Sequence, residues 1–290
     1  MPTIHANGID IWYDFSLGSG PPIALNHGWR GPSAGWPTEV YELRHSGRML
    51  VYDVRGQGRT SAPGDIDSYT MPQYAADLRA LLDALEIEQA HIVGVSQGGM
   101  IAAQFACDYP ERTRSLVISD STAGNGVDEG AGGEWERTMQ RNLATMEGLA
   151  NTEGLAALAD RVIANSREND AHYFEFPEPL EIRETRDRNN YTNMSVPGFI
   201  GSARAIANRP DNTARIRDLR MPVLIMQGEW DDFLPCGERD HRLIEGSRYV
   251  LARRSGHSTD RWRADIWAPQ VAAFIADVEA GRDVAGEYVL

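Results

Sequence analysis

The chain has 290 residues, of which 42% are hydrophobic and 24% are charged, as in a globular protein with one large or two small domains. Its 28 cationic side chains are all arginine, so the chemistry that needs a lysine, such as Schiff-base formation or phosphate binding by a Walker A motif, is excluded. The 42 acidic side chains give a net charge of −14, which argues against nucleic-acid and anionic-membrane partners because both need a basic surface.

The apolar runs and the cysteines of the sequence indicate where the protein is located and whether it binds a structural metal. No apolar run reaches the roughly 18 residues of a membrane span, and the N-terminus lacks the basic and apolar regions of a signal peptide. The two cysteines, Cys107 and Cys236, form neither a CxxC motif nor a cysteine–histidine cluster. We therefore expect a cytoplasmic protein with no structural zinc and no membrane partner. The sequence does not indicate an oligomeric state.

The predicted elements alternate between short apolar strands and helices. An N-terminal hairpin is expected around Asn7-Gly8, a pair that tolerates positive φ at both turn positions. Short apolar runs without alternation are typical of buried parallel strands, and they cover residues 22–25, 49–52, 91–95, 116–119, 223–227 and 249–251. Helical patterns cover residues 72–85, 99–109 and 265–278. This alternation predicts a doubly wound, mostly parallel α/β sheet.

The segment from residue 124 to residue 212 breaks this alternation because it contains no convincing strand. It opens with a glycine-rich stretch, continues with helical patterns at residues 135–146 and 154–165, and then becomes rich in proline and arginine. We therefore expect a helical insertion at residues 124–212, placed between two strands of a core that comprises residues 1–123 and 213–290.

Two G-x-S-x-G matches offer a candidate nucleophile, and their contexts distinguish them. Ser96, in residues 94–98, follows the apolar run HIVGV and precedes an alanine-rich helix, which is the strand–turn–helix setting that exposes a nucleophilic serine. Ser33, in residues 31–35, lies in a loop rich in proline and glycine with no helix after it. The sequence therefore predicts Ser96 as the nucleophile and Ser33 as a turn residue.

Four sequence blocks, in this order along the chain, resemble the α/β-hydrolase-fold family, and within it the serine esterases and lactonases with a helical cap. They are NHGW at residues 26–29, DVRGQGRT at 53–60, GVSQGG at 94–99, and GEWDDFLP at 228–235 together with Gly256-His257. The stretch from Leu116 to Gly124 and the GEWDDFLP block also resemble those of 3-oxoadipate enol-lactonases. The resemblance implies the α/β-hydrolase fold, with an N-terminal antiparallel hairpin and a helical cap insertion.

The resemblance also implies a triad in the order serine, acid, histidine. His257 lies in the loop between the last strand and the last helix, where the family places the base that activates the serine. Asp231 matches the spacing of the family's acid, whose role is to orient the histidine. Asp120, at the end of another strand, is the alternative acid. Asp232 is expected to be a turn or cap residue of the following helix.

By the same resemblance, the main-chain N–H groups of Trp29 and Gln97 form the oxyanion hole. We expect His27 to shape the oxyanion turn by hydrogen bonds to the loop backbone. Candidate substrate-contacting side chains are His27, Met100, Trp135, Trp230 and Phe233.

Three arginines of the insertion, Arg183, Arg186 and Arg188, could bind a substrate carboxylate. Acidic residues alternate with them in the sequence, and such mixed-sign runs usually form a solvated, ion-paired face, which is the interpretation we adopt.

Together these features predict a serine hydrolase that needs no cofactor and no metal and that cleaves a carboxylic ester or lactone of a small, apolar or aromatic molecule. The same triad would also serve C–C bond hydrolysis of a diketone, and haloperoxidase-like perhydrolysis is a third possibility. A small-molecule-binding protein without catalysis is the alternative outside enzymology. A complete and correctly ordered triad argues against it, and the serine at position 96 argues against relatives with an aspartate nucleophile.

Overall fold

A computed structural model describes the backbone of residues 2–125 and 130–290, and the side chains in these ranges except those of residues 130–133 and 135. Within these ranges a nine-stranded sheet forms the centre of the protein. Its strands are β1 (Thr3–Ala6), β2 (Ile9–Phe15), β3 (Pro22–Asn26), β4 (Arg48–Tyr52), β5 (Ala90–Val95), β6 (Thr113–Ser119), β7 (Val223–Gly228), β8 (Arg248–Ala252) and β9 (Gly286–Val289).

The strand order β1-β2-β4-β3-β5-β6-β7-β8-β9 is that of a mostly parallel sheet with an antiparallel start. β2 pairs antiparallel with both β1 and β4, whereas every pair from β4·β3 to β8·β9 is parallel. The hairpin turn consists of Asn7 and Gly8, with φ of 49° and 76°, as its sequence predicts. The edge strand β9 has no counterpart among the predicted strands.

Helices cover both faces of the sheet. The α-helices are α1 (Met71–Ala84), α2 (Gln97–Asp108), α3 (Gly130–Asn169), α4 (Leu180–Thr192), α5 (Val196–Ala207), α6 (Thr213–Ile216), α7 (Leu234–Leu243), α8 (Thr259–Trp262) and α9 (Ala264–Glu279). Short 3₁₀ helices lie at Ser33–Gly35, Thr38–His45, Ile66–Ser68, Pro110–Arg112 and Tyr173–Glu175.

The two faces of the sheet carry separate apolar cores. Leu78 of α1 and Ile101 of α2 pack with Ile92 of β5 in one core. The next strand residue, Val93, belongs to the other core, with Trp267 of α9. Because successive strand residues point to opposite faces, an unbroken apolar strand requires cover on both sides. The predicted doubly wound α/β fold is therefore confirmed.

Between β6 and β7 the described residues contain helices α3 to α6 and no strand. α3 is interrupted at Gly154, where a φ of 84° is incompatible with a continuous helix, so its two halves match the two helical patterns expected there. A third apolar cluster lies within this segment and includes Leu158, Tyr191 and Phe199. Trp29, from the loop after β3, packs against this cluster and connects it to the sheet.

Candidate active site

Ser96 lies in a sharp turn between β5 and α2. Its φ of 55° and ψ of −122° are strained for a residue with a side chain, as expected where a nucleophile is pushed out of a strand-to-helix turn. The neighbouring glycines make room for this turn. A Cβ on Gly94 would lie 2.1 Å from the Gly98 carbonyl oxygen, and one on Gly98 would lie 2.0 Å from the Asn26 carbonyl oxygen.

Ser96, His257 and Asp231 form a continuous hydrogen-bonded chain. The Ser96 hydroxyl lies 2.9 Å from Nε2 of His257, and Nδ1 of the same ring lies 3.0 Å from Oδ1 of Asp231. These distances allow the imidazole to take the serine proton while its other nitrogen donates to the carboxylate. The triad side chains come from three loops, each at the carboxyl end of a parallel strand: β5, β7 and β8. Parallel strands bring such loops to one edge of the sheet.

The charges around Ser96, His257 and Asp231 favour a protonated His257 imidazolium during the reaction. The Asp231 side chain is fully buried, and its Oδ1 also accepts a hydrogen bond of 3.0 Å from the Phe233 N–H. Desolvation is the largest single effect and lowers the pKa of His257, but the charge and hydrogen bond of Asp231, together with the charges of Asp120 and Asp260, raise the pKa to about 9. Asp231 therefore stabilises the form of His257 that exists after proton transfer.

Two other carboxylates near His257, Asp120 and Asp232, differ from Asp231 in their contacts. Asp120 is fully buried, but its oxygens accept from the Thr259 N–H and hydroxyl and from the Gly228 N–H. Burial, and secondly the charge of Asp231, raise the pKa of Asp120 to about 8. Asp232 is exposed and lies in the turn before α7, as expected for a turn residue, and it does not cap this helix. Of the three, only Asp231 hydrogen-bonds His257 in the described structure.

Two main-chain N–H groups beside Ser96 have no hydrogen-bond acceptor among the described residues. They belong to Gln97, the first residue of α2, and to Trp29, in the loop after β3. Gly28 lets this loop approach, since a Cβ there would lie 3.3 Å from the Ser96 Cβ. The N-terminal end of α2 carries partial positive charge, so the pair of N–H groups forms a site suited to an oxyanion.

His27 holds the loop after β3 in place. Its Nε2 accepts a 3.0 Å hydrogen bond from the Val54 N–H, and its Nδ1 lies 2.9 Å from the Gly28 carbonyl oxygen, to which it donates. Burial lowers the pKa of His27, which keeps the ring neutral. These bonds are of the kind that the sequence led us to expect, although the ring also lines the cleft described next.

A cleft of about 470 Å³ opens over Ser96 and His257. Its walls include the predicted substrate-contacting side chains Met100 and Phe233 as well as residues from α3, α4 and α5. Trp230 differs from the prediction, because it does not line the cleft: its indole stacks on His172 at 3.6 Å between ring centroids. The side chain of Trp135 lies outside the described residues.

Two of the three arginines that the sequence placed on a solvated face of the helical segment lie instead in the cleft wall. Arg183 and Arg186 are ion-paired, but they line the cleft and their side chains are only 12% and 21% exposed. The interpretation as a solvated face is therefore wrong for these two. Their partner Asp187 lies 3.7 Å from Arg183 and 3.1 Å from Arg186. Arg188, which pairs with Asp160, lies outside the cleft walls.

Sequence patterns missed several side chains that line the cleft. Arg30, Trp36 and Trp262 all contribute to its walls, and none belongs to a motif with a recognised chemical role. Arg30 directly follows Trp29, so its place next to the oxyanion loop was visible in the sequence. Its orientation into the cleft depends on a φ of 66°, which the sequence does not reveal.

Two structural features bear on metals and membranes. In the described part of the chain, no three histidine, cysteine, aspartate or glutamate side chains are grouped so that they could hold a metal ion. No helix of the same part is long and apolar enough to cross a lipid bilayer.

Most of the chain is similar in sequence to a known family and to characterised proteins. A model of the α/β-hydrolase fold matches residues 21–259. A 2-hydroxymuconate semialdehyde hydrolase from Pseudomonas sp. (strain CF600) is 37% identical over 280 residues, which cover 91% of this chain and 89% of that protein. A 2-hydroxy-6-oxo-2,4-heptadienoate hydrolase from Pseudomonas putida is 29% identical over 259 residues, which cover 83% of this chain and 84% of that protein.

A solved structure of an enol-lactonase has a similar fold. The enol-lactonase from Burkholderia xenovorans LB400 superposes with a TM-score of 0.78 at 25% identity, covering 95% of this chain and 100% of that one. The family match spans most of the chain, and the sheet order and helix placement follow the same fold. The protein therefore belongs to the α/β-hydrolase family and is an enzyme of the hydrolase class.

Proposed function

We propose that the protein hydrolyses a carboxylic ester or lactone through an acyl-enzyme intermediate on Ser96. The observation that carries the proposal is the hydrogen-bonded chain from the Ser96 hydroxyl through His257 to Asp231, beside two main-chain N–H groups with no other acceptor. This arrangement supplies a nucleophile, a base, an orienting acid and oxyanion donors within one cleft.

In the first half of the reaction, the Ser96 oxygen attacks the substrate carbonyl while Nε2 of His257 takes the serine proton. The N–H groups of Trp29 and Gln97 donate to the oxyanion that forms. His257 then gives the proton to the departing alkoxide, and the acyl group remains on Ser96. In the second half, water loses a proton to His257 and attacks the acyl-enzyme, which releases the acid and restores the serine.

The helical segment at residues 124–212 acts as a cap in this proposal. Side chains from α3 and α4, including Met139, Leu143, Ile163 and Tyr191, line the cleft opposite the sheet-borne triad. Such a cover excludes water from the carbonyl and shapes the pocket, so the cap and not the triad would set the choice of substrate.

C–C bond hydrolysis of a diketone is the second candidate, because two of the full-length relatives are named as hydrolases of semialdehyde and oxo-dienoate compounds. The triad serves either reaction up to the point at which the leaving group departs. An alkoxide needs only the proton that His257 carries, whereas a carbanion also needs a substrate that delocalises its charge. We therefore place ester or lactone hydrolysis first.

A panel of three substrate types separates the two candidates. A 4-nitrophenyl ester series, a γ- and δ-lactone series and a vinylogous 1,5-diketone are each assayed with wild-type protein and with Ser96→Ala. We expect turnover of esters or lactones that falls by at least about 10³-fold in Ser96→Ala. Turnover of the diketone alone would contradict the ester and lactone proposal and favour the second candidate.

A further inference from the structure

Arg30 differs from the other arginines of the cleft because its side chain has no hydrogen-bond or ion-pair partner among the described residues. Arg183 donates to the Tyr173 carbonyl oxygen and faces Asp187, and Arg186 pairs with Asp187 and Glu178. Arg261 donates to the Gly35 carbonyl oxygen. In the described part of the chain, Arg30 has no ion pair, and its buried Nε has no hydrogen-bond partner.

Two features of Arg30 are energetically unfavourable: its backbone conformation and the burial of its charge. The φ of 66° places Arg30 in the left-handed region, which is unfavourable for a residue with a side chain. Burial lowers the pKa of the Arg30 guanidinium to about 10, and the charge of Asp187 offsets this only in part. A strained backbone and a desolvated charge at one position are typical of a residue that serves a ligand.

Aromatic rings fix the guanidinium at the wall of the cleft. It lies 4.7 Å from the centroid of the Trp29 ring and 4.3 Å from that of Tyr191. Both rings line the cleft with Arg30, and both carry a buried donor without a partner, Nε1 of Trp29 and the hydroxyl of Tyr191. Three adjoining residues of the cleft wall therefore each carry a buried donor without a partner, and the guanidinium among them is positively charged.

A carboxylate is the ligand that matches this set of donors. It offers two oxygens that only accept hydrogen bonds, and its charge compensates the guanidinium. We propose that Arg30 binds a carboxylate group carried by the substrate, so that the preferred ester or lactone is an anionic one, such as a monoester of a dicarboxylic acid. This inference rests on the proposed hydrolysis at Ser96, whose oxyanion donor Trp29 is the preceding residue.

The test compares monomethyl adipate with methyl hexanoate, two esters of the same acyl chain length that differ in a terminal carboxylate. Their kcat/KM values are measured by titration of the acid released at fixed pH. The wild type is expected to prefer monomethyl adipate, and Arg30→Gln should reduce this preference about 10- to 100-fold through the loss of a charged hydrogen-bond donor. Arg30→Lys, which keeps the charge but not the planar fork, should retain part of the preference.

Arg204→Gln is the matched control, because it removes the same charge from an exposed arginine of α5 that pairs with Glu147. Its preference for monomethyl adipate should stay within about twofold of the wild type. If the wild type hydrolyses either ester, the inference is overturned when it does not prefer the anionic one, or when Arg30→Gln keeps the preference or loses it no more than Arg204→Gln does.

Binding to a Ser96→Ala protein separates this inference from the proposed function. Calorimetric Kd values for the two esters are compared with and without the additional Arg30→Gln change. If the wild type hydrolyses neither ester but monomethyl adipate binds in an Arg30-dependent way, then hydrolysis of these esters fails while the carboxylate site stands. If methyl hexanoate is hydrolysed and Arg30→Gln has no effect on the binding of monomethyl adipate, the proposed function stands and the carboxylate site is wrong.

Discussion

At the scale of single residues, the partner of His257 decides which carboxylate is the acid. Asp231→Asn removes the charge and offers an amide in place of the acceptor at 3.0 Å, so the imidazole is held in the wrong tautomer. We expect kcat to fall about 10²- to 10⁴-fold. Asp232→Asn, at an exposed position, should leave kcat within about twofold. Steady-state hydrolysis of 4-nitrophenyl butyrate measures both, and the reverse pattern would make Asp232 the acid.

The pH dependence of the reaction follows from the same pair. His257 must be neutral to accept the serine proton, so kcat/KM should fall as the pH drops through the His257 pKa, which lies above its usual value. Asp231→Asn removes the charge that raises this pKa but leaves the desolvation that lowers it. The acidic limb of the residual kcat/KM profile should therefore move to lower pH. A limb that stays in place or moves to higher pH would contradict this assignment.

At the scale of elements, the turn between β5 and α2 depends on close packing against the loop after β3. In Gly98→Ala, the new Cβ would lie 2.0 Å from the Asn26 carbonyl oxygen, a backbone atom of β3 that cannot move freely. We expect a loss of about 1–3 kcal/mol in the free energy of unfolding, together with a loss of activity. Urea denaturation followed by circular dichroism measures the stability.

Gly148→Ala is the matched control for that change. Gly148 is an exposed residue of α3, and a Cβ there would meet nothing within 4 Å. Alanine should stabilise the protein by about 0.5–1 kcal/mol because it favours the helix. Equal destabilisation by the two substitutions would mean that the close approach at Gly98 does not limit the turn.

At the scale of the whole molecule, an aromatic stack joins the helical segment to the core. The His172 ring lies parallel to Trp230, which itself meets Trp262 edge to face at 5.8 Å. His172→Ala removes the stack without touching the triad, so we expect amide exchange of residues 170–176 to accelerate about 2- to 10-fold and KM to rise while kcat changes little. His45→Ala, at an exposed position of the core, is the control. Unchanged exchange and KM would show that this contact does not hold the segment.

Elements of this protein were predictable from sequence where burial or backbone geometry restricts which residues can occur. Buried parallel strands are apolar throughout because both faces are covered, which made β3 to β8 recognisable. β9 was not predicted because it is a short edge strand with mostly exposed residues, so burial imposes little pattern on its sequence. Ser96 was recognisable because its turn requires small neighbours at fixed positions.

The cleft walls were less predictable because tertiary packing decides which side chains reach them. Trp230 follows a strand end in the sequence, yet its ring packs against His172 and away from the cleft. Arg183 belongs to a mixed-charge run that is typical of a solvated surface, but the fold of the segment turns it inward over the triad. Arg30 carries no periodic or motif signal, and only its backbone conformation and unpaired state distinguish it.

Covalent labelling of the serine tests the central claim, that Ser96 is a nucleophile activated by His257. Wild-type protein, Ser96→Ala and His257→Gln are incubated with a fluorophosphonate, and the intact masses are then measured. We predict one added phosphonyl group on the wild type, none on Ser96→Ala, and labelling of His257→Gln slowed by at least about 10²-fold because the base is lost. No mass gain on the wild type, or equal labelling of Ser96→Ala, would contradict the claim.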